Sequence, residues 1–142
     1  MLTILAVALI ATFAFLASVH VYWAFGGRFA KVAAIPELRG SPSFVPGRIT
    51  TLLVACCLFA CAALIGAATG FIDAPVPAMV LQWGCFGLAL LLLLRAIGDF
   101  RLVGFFKTVR GSRFAWLDSA LYSPLCLALA LGVFLVAWKS GP

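Results

Sequence analysis

The sequence predicts an all-α protein, a four-helix bundle that spans a membrane. Of its 142 residues, 65% are hydrophobic and only 10% are charged, and the mean hydropathy is +1.22. A water-soluble fold of this size could not bury that much apolar side chain, and a chain this apolar does not stay disordered. The apolar residues also fall into four continuous runs, each close to the 20 or so residues that a helix needs to cross the hydrocarbon.

We expect the four helices at about residues 2–25, 49–71, 76–97 and 116–138. Unbroken apolarity favours helices over membrane strands, in which lipid-facing and inward-facing residues alternate. The first run is longer than the core of a signal peptide and no cation precedes it, so we expect it to be retained. Pro124 predicts that the fourth helix starts before it and kinks there, or that a short interfacial segment precedes it. We expect a shallow polar vestibule, open to the cytoplasm, at this point. The chain then forms one integral membrane domain, residues 1–142.

Charge in the loops predicts the orientation. The two longer loops, 26–48 and 98–115, carry most of the cations, whereas the short turn at 73–75 carries none. These cations are Arg28, Lys31, Arg39 and Arg48 in the first loop and Arg101, Lys107, Arg110 and Arg113 in the second. Positive loops stay in the cytoplasm, so both termini and the short turn are expected outside. The net charge of +6 then lies beside anionic headgroups. We therefore expect membrane lipids, and no nucleic acid, as partners.

The five cysteines all fall inside predicted helices, and no C-x-x-C motif occurs. We interpret them as small apolar residues at helix contacts rather than as a redox centre. A metal or a haem would need further ligands, and the chain contains one histidine. We therefore expect neither a metal site nor a cofactor.

A stripe of small residues marks the second helix, where Ala62, Gly66 and Gly70 recur every four positions. Such a stripe lets the backbone of a neighbouring helix approach closely. We favour packing within one chain, with dimerisation as the alternative.

Polar residues of three helices share one depth, near the cytoplasmic surface. At 1.5 Å per residue, His20, Arg95 and Tyr122 lie roughly 9–12 Å from the bilayer centre. This polar layer comprises His20, Tyr22, Trp23, Arg95, Asp99, Arg101, Asp118, Tyr122 and Ser123. An ionisable group that faces inward at this depth needs a partner. For His20 the candidates are Asp118, Tyr122 or the partner of Arg95.

Each polar residue also has a simple structural explanation. Tyr22 and Trp23 are typical of an interfacial aromatic belt. Arg95 could reach the headgroups alone or pair with Asp99, four residues later on the same helix. Asp118 could cap the fourth helix, where a carboxylate suits the positive end of the dipole.

Together these segments resemble a bacterial membrane-protein family catalogued as domain of unknown function 3995. The resemblance covers nearly the whole chain, and its motifs are the segments 20–27, 44–47, 95–101, 104–107, 113–115, Asp118 and 121–127. It implies a small, multi-pass protein of four helices in the inner (plasma) membrane. It implies no reaction, ligand or catalytic residue.

Three functions remain open. The favoured one is an accessory or structural membrane subunit locked by the polar layer, whose partners are a larger membrane complex or further copies of the chain. The alternative is an embedded binding site or enzyme for a lipid, quinone, sterol or isoprenoid. It would use His20, which can exchange protons near neutral pH, with Asp118 or Tyr122 and Arg95. A small transporter ranks last, because every carboxylate is peripheral. On balance, the sequence favours a protein without enzymatic activity.

Overall fold

The computed structural model describes residues 1–31, 34–38, 41–42 and 44–140. Its helices are α1 (Leu2–Ala24), α2 (Arg48–Ala68), α3 (Ala78–Ile97), α4 (Arg113–Leu117) and α5 (Ser123–Lys139). A π-helical turn, Asp118–Tyr122, joins α4 to α5, so that Arg113–Lys139 forms one continuous fourth span. In the first loop, β1 (Glu37–Leu38) pairs antiparallel with β2 (Ser41–Pro42). Arg39, one of the loop cations, lies outside the described residues.

The prediction of four membrane-crossing helices is confirmed. Among the described residues, four helical spans are long and apolar enough to cross a membrane, so the chain is a multi-pass membrane protein. Each predicted helix end lies within about one turn of the observed one. The fourth span begins at Arg113, earlier than expected, because Ser112 caps it. The N–H of Ala115 donates to Ser112 Oγ at 3.0 Å, and Asp118 is therefore not the cap.

The bundle consists of two antiparallel hairpins. Helix α1 packs mainly on α2 and α3 mainly on α5, and smaller contacts join the two pairs. The buried side chains at the centre include Leu9, Phe13, Ile65, Cys85, Leu129, Val133 and Val136. Gln82 lies in an apolar helix, and its Nε2 donates to the carbonyl of Ala137 at 3.0 Å, so the N–H of this half-buried amide has an acceptor within the bundle.

The small-residue stripe of α2 lies partly inside this packing. Ala62 and Gly66 are buried, whereas Gly70 is exposed just beyond the helix end, with φ of 75°. A Cβ added at Gly66 would stand 2.8 Å from Cδ1 of Ile72. Gly66 thus lies close to Ile72, in the turn that follows its own helix, and faces Ile10 of α1.

Candidate functional site

The loop between α3 and α4 folds back onto the end of the bundle. Gly98 and Gly104 adopt φ values of 94° and 91°, which favour glycine. Each approaches backbone so closely that a Cβ would collide, at Gly98 with the carbonyl of Val103 and at Gly104 with that of Ile97. The N–H of Phe105 also donates to the carbonyl of Ala96 at 2.9 Å. This fold-back brings the segment around Gly104 against the helices.

Asp99 organises the start of this loop. Its Oδ1 accepts the backbone N–H groups of Arg101, Leu102 and Val103 at 2.9, 2.7 and 3.0 Å. These hydrogen bonds, that from Val103 foremost, hold the pKa of Asp99 below its ordinary value. Asp99 does not pair with Arg95, as one reading of the sequence had it, because Arg95 turns to a different carboxylate. Arg101 is exposed.

The carboxylate of Asp118 is the centre of the site. It is completely buried, and its Oδ1 accepts a hydrogen bond from Arg95 Nη2 at 2.8 Å. Its Oδ2 accepts three more, from the N–H of Gly104 at 2.7 Å, Lys107 Nζ at 3.0 Å and Ser123 Oγ at 3.3 Å. We call Arg95, Lys107 and Asp118 the ion cluster. It joins α3, the loop and the fourth span at one point.

Lys107 is as deeply enclosed as the carboxylate that it faces. Its side chain is 2% exposed. Besides Asp118, its ammonium donates to the carbonyl of Gly104 at 3.0 Å and to Ser119 Oγ at 2.6 Å. All three ammonium protons therefore have acceptors, which a buried lysine requires.

The π-helical turn aligns two of these groups. In an α-helix, residues five apart point about 140° away from each other. Here the N–H of Ser123 donates to the carbonyl of Asp118, five residues back, and this wider turn places Ser123 above Asp118. The turn directly precedes Pro124, which has no N–H to continue the regular ladder. The fourth span therefore starts before Pro124, as predicted, and a π-helical turn lies just ahead of the proline.

Arg95 is only partly satisfied. Among the described residues it donates only through Nη2, and Nη1 is buried without an acceptor. Its side chain is nevertheless 34% exposed. The cluster as a whole sets two cations against one carboxylate, so one positive charge is unbalanced by the chain within it.

Beside the ion cluster lies a groove of about 860 Å³ between the two hairpins. Its walls are mainly apolar and are contributed by α1, α2 and the fourth span: Phe15, Leu16, Val54, Leu58, Phe114 and Leu121. His20, Trp23, Arg95, Tyr122 and Cys126 also line it, and Tyr22 lies at its rim and is exposed. This groove stands where the sequence predicted a shallow polar vestibule, but its walls are mainly apolar.

His20 takes part in the groove and not in the ion cluster. Its Nδ1 contacts the carbonyl of Leu16 at 2.8 Å, and because a carbonyl only accepts, Nδ1 carries the proton. Its ring meets the edge of Trp23, with centroids 4.9 Å apart. Nε2 has no hydrogen-bond partner among the described residues. Asp118, one of the candidate partners of His20, forms no hydrogen bond with it among the described residues; its carboxylate accepts four other donors.

The polar layer therefore divides into three parts. Arg95 and Asp118 belong to the ion cluster, and Ser123 donates to Asp118. His20, Tyr22, Trp23 and Tyr122 border the groove, which Arg95 also reaches, and the indole of Trp23 donates to the carbonyl of Phe29 at 2.8 Å. Asp99 and Arg101 stay in the loop.

Sequence reasoning missed Lys107, Gly104 and Ser119. It counted Lys107 among the loop cations that set the orientation, because a lysine in a loop is ordinarily solvated. The family resemblance did include the segment 104–107, and that was the signal available. Among the described residues, no three His, Cys, Asp or Glu side chains lie close enough together to hold a metal ion.

Comparison with known proteins identifies a family. A family model described as "Protein of unknown function (DUF3995)" matches residues 13–133, which include the whole ion cluster and most of the groove. This confirms the resemblance drawn from the sequence. Neither the curated proteins nor the solved structures contain a match to the chain.

Proposed function

This chain belongs to the DUF3995 family, and we propose that it binds a membrane amphiphile in the groove between its two helical hairpins. One observation carries the proposal: the groove of about 860 Å³ combines apolar walls with polar side chains. Ligand sites commonly have this composition, in which apolar walls supply affinity and a few polar groups orient the ligand. The class of ligand is a molecule with a long or fused apolar body and a polar head, such as a lipid, quinone, sterol or isoprenoid.

The polar groups of the groove support this class because they come from separate helices. His20 belongs to α1, Arg95 to the end of α3 and Tyr122 to the π-helical turn. Two of them have hydrogen-bonding atoms without a partner among the described residues, Nε2 of His20 and Nη1 of Arg95. A polar head can use these atoms while its apolar body lies along the walls.

The test is the identity of molecules that copurify. Protein extracted in a mild detergent is measured by native mass spectrometry, and its bound lipids are compared with those of the whole membrane extract. We expect one class of amphiphile to be enriched. A variant Cys126→Phe, which fills the groove, should lose it. The control Cys56→Phe makes the same change at an exposed site on α2, outside the groove, and should keep it.

Two results would refute the proposal. One is a lipid composition that matches the bulk extract in the unmodified protein. The other is retention of an enriched amphiphile by the Cys126→Phe protein while its thermal unfolding is unchanged.

An accessory, structural role is the second candidate. Its support is the complete enclosure of Asp118, because all four donors to this carboxylate come from the same chain. In this role the ion cluster locks the helices of a subunit that belongs to a larger membrane complex or a homo-oligomer. His20→Ala discriminates between the two. It lowers stability in detergent without loss of a bound molecule under the structural role, and it releases the ligand from a folded protein under the binding role.

We propose that the protein lies in the inner (plasma) membrane, with both termini on the outer side. The described loop cations Arg28, Lys31, Arg101 and Arg110 support this orientation. All four lie at the end of the bundle opposite the termini, and positive loops stay in the cytoplasm.

A further inference from the structure

We propose that the head of the groove's ligand is an oxyanion, a carboxylate or a phosphate, and that Arg95 binds it. This inference rests on the proposed function and narrows its ligand class. Neutral amphiphiles, such as alcohols and sterols, are thereby ranked below fatty acids and alkyl or isoprenoid phosphates.

Charge balance is the first argument. Two cations, Arg95 and Lys107, share the single carboxylate of Asp118. Lys107 is enclosed and has acceptors for all its protons, so the unbalanced charge resides on Arg95. Arg95 therefore shares its counter-ion, Asp118, with Lys107, and a charge at membrane depth is costly unless it is fully paired. A monoanionic head would bring the ion cluster to neutrality.

The unused donors of Arg95 are the second argument. A guanidinium offers five N–H groups in a planar fork that matches a carboxylate or phosphate. Arg95 donates to Asp118 through Nη2 only. Neither its Nε nor its Nη1 has an acceptor among the described residues. Nη1 is buried, so its N–H groups have lost water and gained nothing in exchange. An oxyanion at this edge would supply the missing acceptor.

The position of Arg95 is the third argument. Its bond to Asp118 holds the guanidinium at the groove, and a third of its side chain remains exposed there. The groove that Arg95 lines is also lined by Phe114, Leu121 and Leu58, whose side chains cannot accept a hydrogen bond. His20 Nε2 offers the head a second polar contact. This arrangement fits a ligand that has one charged head and one apolar body.

The experiment compares three probes of equal chain length: hexadecanoate, hexadecyl phosphate and hexadecanol. Each displaces a fluorescent fatty acid from the purified protein in a neutral detergent. We expect both anions to bind at least about tenfold more tightly than the alcohol, in line with a charge-assisted hydrogen bond. The ratio between the two anions tells a carboxylate ligand from a phosphate ligand.

Two matched variants assign the effect to Arg95. Arg95→Gln should remove the anion preference, while the affinity for hexadecanol stays within a few fold. Arg101→Gln removes the same charge from an exposed loop position and should leave the preference intact. Because Arg95→Gln also weakens the ion cluster, its folding is checked by circular dichroism. Arg95→Lys, which keeps the charge without the fork, should show an intermediate preference.

The outcomes separate this inference from the proposed function. If hexadecanol binds as tightly as hexadecanoate to the unmodified protein, or if Arg95→Gln keeps the preference, the head is not an oxyanion at Arg95 although the groove still binds amphiphiles. If no probe displaces the fluorescent fatty acid from the unmodified protein, or if Cys126→Phe binds the probes as tightly as the unmodified protein does, the groove itself is not a ligand site.

Discussion

Asp118 shows how one residue can connect distant parts of a membrane protein. A carboxylate inside a bundle is costly unless its charge is paired and its lone pairs are used. Here Arg95, Lys107, Gly104 and Ser123 satisfy both conditions, and they come from α3, the loop and the fourth span. The same cluster that closes the fold on one side leaves Arg95 with unused donors on the other. At this scale, the stability of the bundle and the proposed ligand binding depend on the same guanidinium.

Asp118→Asn should lower the free energy of unfolding by about 3–5 kcal/mol, because it leaves Arg95 and Lys107 without a counter-ion. Unfolding in mixed micelles of a mild detergent and dodecyl sulfate measures this. Asp99→Asn is the control, since it neutralises an exposed carboxylate and keeps the acceptor oxygen. Equal losses in both variants would contradict the central position of Asp118.

Asp99 should contribute an acid-sensitive part of the stability. Its folded pKa lies below its ordinary value of 3.8 because three N–H groups bind the charged form. A group whose pKa is lowered by folding contributes its full stabilisation above its unfolded pKa. It loses that contribution as the pH falls through its folded pKa. We therefore expect this stabilisation to begin to decline below about pH 4 and to be lost as the pH falls through the lowered pKa of the folded state. As the pH is lowered from 6 to 3, the midpoint temperature of thermal unfolding should fall less steeply in Asp99→Asn than in the unmodified protein. Parallel profiles would refute this.

At the scale of the elements, two local irregularities build the site. The π-helical turn Asp118–Tyr122 inserts one extra residue per turn and aligns Ser123 with Asp118. The fold-back of the loop depends on Gly98 and Gly104, whose positive φ values and close backbone contacts exclude a side chain. A regular helix and an extended loop would place the same residues apart. The irregular backbone is tolerated because the ion cluster satisfies its polar groups.

Gly104→Ala should destabilise the protein more than Gly111→Ala. Both glycines have positive φ, 91° and 104°, so both changes carry the strain of about 1 kcal/mol. Only at Gly104 would the new Cβ collide with backbone, while Gly111 has open space around it. We expect an additional loss of 1–3 kcal/mol or so at Gly104. Denaturation in mixed micelles compares the two, and similar losses would argue against the tight fold-back.

At the scale of the whole molecule, the helices pack more extensively within each hairpin than between the two hairpins. Contacts between α3 and α5 and between α1 and α2 are extensive, whereas α1 meets the fourth span more narrowly. Gly132 makes one of these narrower contacts, against Leu9 and Leu5. The groove is the space that this seam leaves toward the loop end. A ligand in the groove would therefore contact both hairpins.

The orientation can be tested on whole cells. In a cysteine-free background, Ser140→Cys at the end of the fourth span should react with a membrane-impermeant maleimide added outside. Arg110→Cys, in the second longer loop, should react only after the membrane is permeabilised. The reverse pattern would overturn the proposed topology, and labelling of both positions in intact cells would indicate two orientations.

The sequence by itself determined the number of helices, their approximate ends and the end of the bundle at which the polar residues collect. These properties depend on runs of neighbouring residues, and hydropathy or loop charge records them locally. Only the tertiary structure decided that Asp118 accepts from Lys107 and Arg95, that His20 stays apart from them, and that a groove separates the hairpins. Those facts depend on a π-helical turn and a loop fold-back, which set side-chain direction across 11 residues between Lys107 and Asp118 and 23 between Arg95 and Asp118. Periodicity in the sequence carries no record of such register changes, because each is stabilised by contacts that form only when the helices are packed.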